Sequence, residues 1–172
     1  MAKINRNSYS NYGMIGAGLL ILTTFDTLSG YFFGSLGRLA LLESIMHIML
    51  IALLFMKTRN FVLSAPYAFL AVTVFFHGSD YLTTAFDFLL YFLMFAMCFL
   101  ILTNILPEKA HNAVSKLWFL PAAIWFSYNM VIIIIYANSL NPGGFVITVL
   151  MTAFYAAAHL MVGLWLKKPN KN

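Results

Sequence analysis

The sequence predicts an all-α integral membrane protein, a single bundle of six transmembrane helices joined by short loops. Three features carry that expectation. Of 172 residues, 62% are hydrophobic and only 9% are charged, whereas a soluble domain carries about a quarter charged residues. The apolar residues fall into six runs, each near the roughly 20 residues that span a bilayer. The basic residues gather at alternate run ends, which is the signature of topology rather than of a soluble surface.

The first run, Met14–Phe33, follows the basic stretch MAKINRN. It is too long for a signal h-region, contains Asp26 and lacks a small-residue cleavage site, so it is read as a retained helix. The second run, Leu36–Met56, is separated from it by Gly34-Ser-Leu-Gly37. As one helix the two would be about 60 Å long, twice the hydrocarbon thickness. Phe61–Phe76 is short and holds Pro66 near its start; Tyr81–Leu106 is the longest. Leu117–Ala137 carries Pro121 in its first turns, where neighbours can satisfy the freed carbonyl. Phe145–Leu166 follows a turn at Pro142-Gly-Gly144. The loop holding His111 is read as solvated.

With the N-terminus inside, the cytoplasmic side holds Lys3, Arg6, Lys57, Arg59, Lys109, Lys116, Lys167, Lys168 and Lys171, and the opposite side only Arg38. Both termini are therefore placed in the cytoplasm and the chain in the plasma membrane. Tyr12, Trp118 and Trp165 would anchor the inner interface; Tyr31, Tyr81 and Tyr136 the outer one. The net charge of +5 sits at helix ends, with no basic helix of the nucleic-acid kind. The expected surroundings are the lipid bilayer, with no nucleic-acid partner.

Ionisable groups inside apolar runs are costly and ask for a function or a pairing. By helix rise, Asp26, Glu43 and Asp87 lie at one depth, about 11 Å below the outer surface. His47 and Asn129 lie near the midplane and His159 in the inner third. Polar residues recur on single helix faces: Thr23, Asp26, Thr27 and Gly30; Glu43 and His47; Asp80, Thr84, Asp87 and Tyr91; Trp118, Trp125, Asn129 and Tyr136; Thr148, Thr152, Tyr155 and His159. Such faces turn inward, because lipid offers them no partner. The expected site is an outward-facing acidic pocket with Asp26, Glu43, His47, Asp87, Asn129, Tyr155 and His159 as substrate-binding residues. Against this, Ser and Thr in such helices commonly bond their own backbone, Asp26 and Arg38 can pair, and Glu43 and His47 can simply bond each other. Leu22-Thr-Thr-Phe-Asp26 also echoes Leu82-Thr-Thr-Ala-Phe-Asp87, a pattern that an inverted repeat would produce.

Other chemistries leave little trace. Glu43-x-x-x-His47 has a spacing open to a metal, with Asp26, Asp87 or His77 to complete a shell, but i, i+4 is also plain hydrogen-bond spacing. No cofactor is called for. No serine sits in a nucleophile elbow, no Gly-rich phosphate loop occurs, and Cys98 is a lone thiol in an apolar run. Gly13-x-x-x-Ala17 suits close helix contact. With six spans and this size, the chain resembles in architecture the substrate-binding subunits of energy-coupling-factor vitamin importers. That resemblance implies a partner membrane subunit and assigns no residue roles. The expected function is binding or transport of a small polar or cationic solute. The alternatives are a non-catalytic scaffold or accessory subunit, and an intramembrane acid-base or metal-assisted enzyme on a lipid-like substrate.

Overall fold

A computed structural model describes residues 6–33, 38–77, 81–103, 105–135, 137 and 141–167. The Gly34–Gly37 break and Asp80 lie outside the described residues, as do Tyr136 and the side chains of Arg38, His77, Tyr81 and Thr84. Among the described residues every regular element is helical. The seven α-helices are α1 (Arg6–Phe32), α2 (Arg38–Phe55), α3 (Ala65–His77), α4 (Tyr81–Thr103), α5 (Glu108–Leu117), α6 (Phe119–Ile135) and α7 (Pro142–Leu166). A 3-10 turn, Phe61–Ser64, leads into α3.

Four helical stretches are long and apolar enough to cross a membrane: Asn11–Phe32, Ala85–Thr103, Glu108–Ile135 and Pro142–Leu166. Ala40–Phe55 and Phe61–Phe76 are apolar but shorter. All six expected runs are therefore apolar helices, of which four reach spanning length.

The distribution of residues is inside-out relative to a water-soluble protein. Phe25, Phe32, Phe33, Phe75, Phe76 and Ile134 are exposed, whereas His47, Ser44, Thr24 and His159 are buried. Water would penalise that apolar exterior at about 25 cal/mol per Å²; hydrocarbon does not.

The helices pack in a ring. α1 lies between α2 and α7, α3 between α2 and α4, and α6 against α7, with α4 returning to meet α6. The α1–α7 seam is tight because Gly13 lies under Trp165 and Gly16 under the Ala158 carbonyl. Ala17 is fully buried in the same seam's core, so the small-residue spacing serves close contact as expected. At the α4–α6 boundary Phe86 stacks on Tyr128, ring centroids 4.1 Å apart.

Three local expectations need correction. The segment at 108–117 is a helix rather than a solvated loop. Ala110, Val114 and Leu117 repeat at helical spacing, Glu108 and Lys116 suit the two ends, and His111 Nε2 lies 3.2 Å from the Ile101 carbonyl. Pro142-Gly-Gly144 is the start of α7 rather than a turn. Asn141 caps it by accepting from the Gly144 N–H, and proline occupies a first-turn position. Trp118 and Trp165 are buried at 2% and 4% exposure, so they pack inside the bundle instead of anchoring its rim. Trp118 Nε1 donates to the His159 carbonyl at 2.8 Å, and Trp165 lies under the Arg59 guanidinium at 5.3 Å.

Among the described residues most serine and threonine hydroxyls satisfy themselves locally. Thr23 donates to the Leu19 and Leu20 carbonyls, Thr27 to Thr23, Ser44 to Ala40, Thr103 to Phe99 and Thr148 to Gly144. This back-bonding lets a polar residue occupy a helix interior without a second helix.

Candidate functional site

Five helices meet around one polar cavity of about 410 Å³, within the usual range of small-molecule sites. α1 contributes Thr23, Asp26 and Thr27; α2 Glu43 and His47; α4 Asp87 and Tyr91; α6 Trp125 and Asn129; α7 Thr148, Met151, Thr152 and Tyr155. The contributing stretches lie toward the C-terminal end of α1 and the N-terminal ends of α2, α4 and α7. All of these belong to the same end of the bundle.

Each lining residue follows from helical phase. Asp26 lies three residues beyond Thr23, His47 four beyond Glu43, Tyr91 four beyond Asp87, and Tyr155 three beyond Thr152. Each pair thus projects from one face. Ionisable groups cannot be left in lipid cheaply, so these faces point at one another.

Of the seven residues expected to bind substrate, Asp26, Glu43, His47, Asp87, Asn129 and Tyr155 line this cavity. His159 does not. It is fully buried one turn further along α7, behind the Tyr155 ring at 4.5 Å between centroids. Its Nδ1 lies 3.1 Å from the Tyr67 hydroxyl. Tyr67 was not expected at all; its only signal in the sequence is a phenol one residue after Pro66, within an apolar run. Met151 was likewise unforeseen, since a methionine in such a helix reads as lipid-facing or core.

A hydrogen-bonded chain runs through the cavity wall. The Tyr91 hydroxyl reaches Glu43 Oε1 at 3.5 Å, the loosest link. Tyr91 and Tyr155 hydroxyls are 2.9 Å apart, and Tyr155 Oη lies 3.0 Å from His47 Nε2. The His47 ring stands edge-on to Tyr155. Glu43 and His47 thus meet through two tyrosines, not side chain to side chain.

Trp125 packs on Tyr155 with centroids 4.3 Å apart, and Asn129 donates through Nδ2 to the Trp125 carbonyl at 2.9 Å. Carboxylates and aromatic ring systems therefore share one cavity. Among the described residues no lysine or arginine lines it. Among the described residues no three of His, Cys, Asp and Glu converge closely enough to hold a metal ion, so Glu43 and His47 acquire no third ligand from Asp26 or Asp87.

Comparison with protein-family models, curated proteins and solved structures finds no match for this chain. Its functional reading rests on the geometry of the cavity.

Proposed function

We propose that this chain is a six-span plasma-membrane protein with both termini cytoplasmic. In this reading it binds a small organic cation, an amine or quaternary ammonium, in an outward-facing pocket, for transport alone or beside a partner subunit. One observation carries the reading. Asp26, Glu43 and Asp87, from three different helices, line a single cavity with Tyr91, Trp125 and Tyr155. Carboxylates supply charge, and aromatic faces attract cations through their quadrupoles, by up to about 2 kcal/mol when desolvated. An anion would meet up to three carboxylates and, among the described residues, no basic side chain in the cavity wall. The two shorter apolar helices count as spans here because each carries cavity residues or packs between helices that do.

The test is binding of tetramethylammonium to the purified protein, followed by equilibrium dialysis and thermal stabilisation. Asp26→Asn, Glu43→Gln and Asp87→Asn should each weaken binding about tenfold or more, equivalent to about 1.4 kcal/mol. Unchanged affinity in all three correctly inserted variants overturns the reading.

A further inference from the structure

The hydrogen-bonded chain in the cavity wall has a property that follows from counting protons. A tyrosine hydroxyl has one hydrogen to donate. The His47 ring meets the chain through Nε2, which faces the Tyr155 hydroxyl. If Glu43 is a carboxyl, its O–H donates to Tyr91, Tyr91 to Tyr155, and Tyr155 to a bare Nε2 on neutral His47. If Glu43 is a carboxylate, the Tyr91 hydroxyl donates to it and Tyr155 donates to Tyr91. His47 must then donate, so its Nε2 carries hydrogen. With all links made, the charge on Glu43 decides whether His47 Nε2 carries hydrogen.

We propose that Glu43, Tyr91, Tyr155 and His47 form a proton wire through which a cation entering the pocket drives the Glu43 proton inward to His47. The step balances. The Glu43 O–H bond breaks as a Tyr91 O–H forms, the old Tyr91 proton passes to Tyr155, and the old Tyr155 proton makes the Nε2–H bond on His47. Neither tyrosine changes charge, and one positive charge moves about 6 Å along α2.

The groups around the wire fit that direction. Asp26 on α1 and Asp87 on α4 face the same cavity as Glu43 and hold the incoming cation at the wire's outer end. Tyr155 and His159 on α7 face His47, with ring centroids 5.2 and 6.1 Å away, and Tyr67 on α3 backs His159. Among the described residues α6 adds Trp125 and Asn129, which do not titrate. His159 is fully buried with Nε2 unpartnered, an arrangement that ordinarily costs about 1–3 kcal/mol. A second imidazole beside the wire's inner end is the next station for the proton. The cation-binding site is thereby a proton-exchanging one.

This inference rests on the cation-binding reading, and one experiment separates their fates. The full-length protein in nanodiscs carries ¹⁵N-histidine, with the His47 signal assigned by its loss in His47→Gln. At saturating tetramethylammonium the His47 Nε2 resonance should move from the unprotonated to the protonated position, with no net proton released per cation bound. In Tyr155→Phe, read at its own saturating concentration, the shift should vanish and about one proton per cation should appear in solvent. Saturated wild-type protein with His47 Nε2 still unprotonated overturns the wire and leaves the binding reading standing. Absence of tetramethylammonium binding overturns both.

Discussion

At Gly163 the bundle tolerates no side chain. A Cβ there would lie 1.6 Å from Trp118 Cδ1, and Trp118 is held in place by its bond to the His159 carbonyl. Gly163→Ala should therefore destabilise the protein by about 1–3 kcal/mol or more through overpacking. Gly18→Ala, with nothing within 4 Å, should be neutral or add up to about 1 kcal/mol from helix propensity. Parallel unfolding curves in detergent check both. This contact also marks what a sequence conceals. Asp26, Glu43 and Asp87 could be picked out because an ionisable group in an apolar run signals its own cost. The fit of Trp118 against Gly163 joins positions far apart in the chain and leaves no local trace, so Trp118 read as an interfacial anchor. His159 was read as a cavity residue for a related reason: its face was legible, but the Tyr155 ring that screens it from the cavity was not.

Helices were readable wherever lipid length and periodicity agreed, and less so where chemistry at the ends decided. α5 is short and polar on one side, so a search for membrane-length runs passes over it. Its pattern of Ala110, Val114 and Leu117 was nonetheless in view. The start of α7 is set by Asn141 and Pro142, a capping pair whose glycines invited the word turn. Replacing the cap, Asn141→Ala, should cost about 1 kcal/mol, and Asn141→Ser should restore most of it; thermal melts of the two variants test this. The end of α2 is closed differently. Lys57 adopts φ 53°, and the Thr58 N–H reaches the Leu53 carbonyl while the Lys57 N–H reaches Leu54. These are the two bonds of a Schellman cap, with lysine where glycine is usual. A positive charge needed at the cytoplasmic rim under the proposed topology explains the choice.

For the molecule as a whole, orientation is the property with the most direct test. In a Cys98→Ser background, Phe33→Cys should react with an impermeant maleimide on intact cells, whereas Asn112→Cys should react only once the cytoplasmic face is opened. The reverse pattern overturns the assignment. Cys98 itself is fully buried and should stay unlabelled in the folded wild-type protein. The bundle architecture was foreseeable because an inside-out sequence has few solutions: polar faces on five helices must share one interior. Which residues close that interior depended on rings and packing, and those emerge only when the helices are set side by side.

The threonine back-bonds have a last consequence for what the cavity selects. Thr23, Thr27 and Thr148 each commit their hydroxyl hydrogen to their own helix, and Asn129 commits an amide hydrogen to Trp125. Their oxygens keep lone pairs. At these three threonines the wall therefore offers acceptors and no donor. Selection in such a cavity acts on hydrogen polarity as well as on charge. A guest that brings its own N–H or O–H groups finds acceptors at these threonines, and one that brings only carbonyl oxygens finds no donor there.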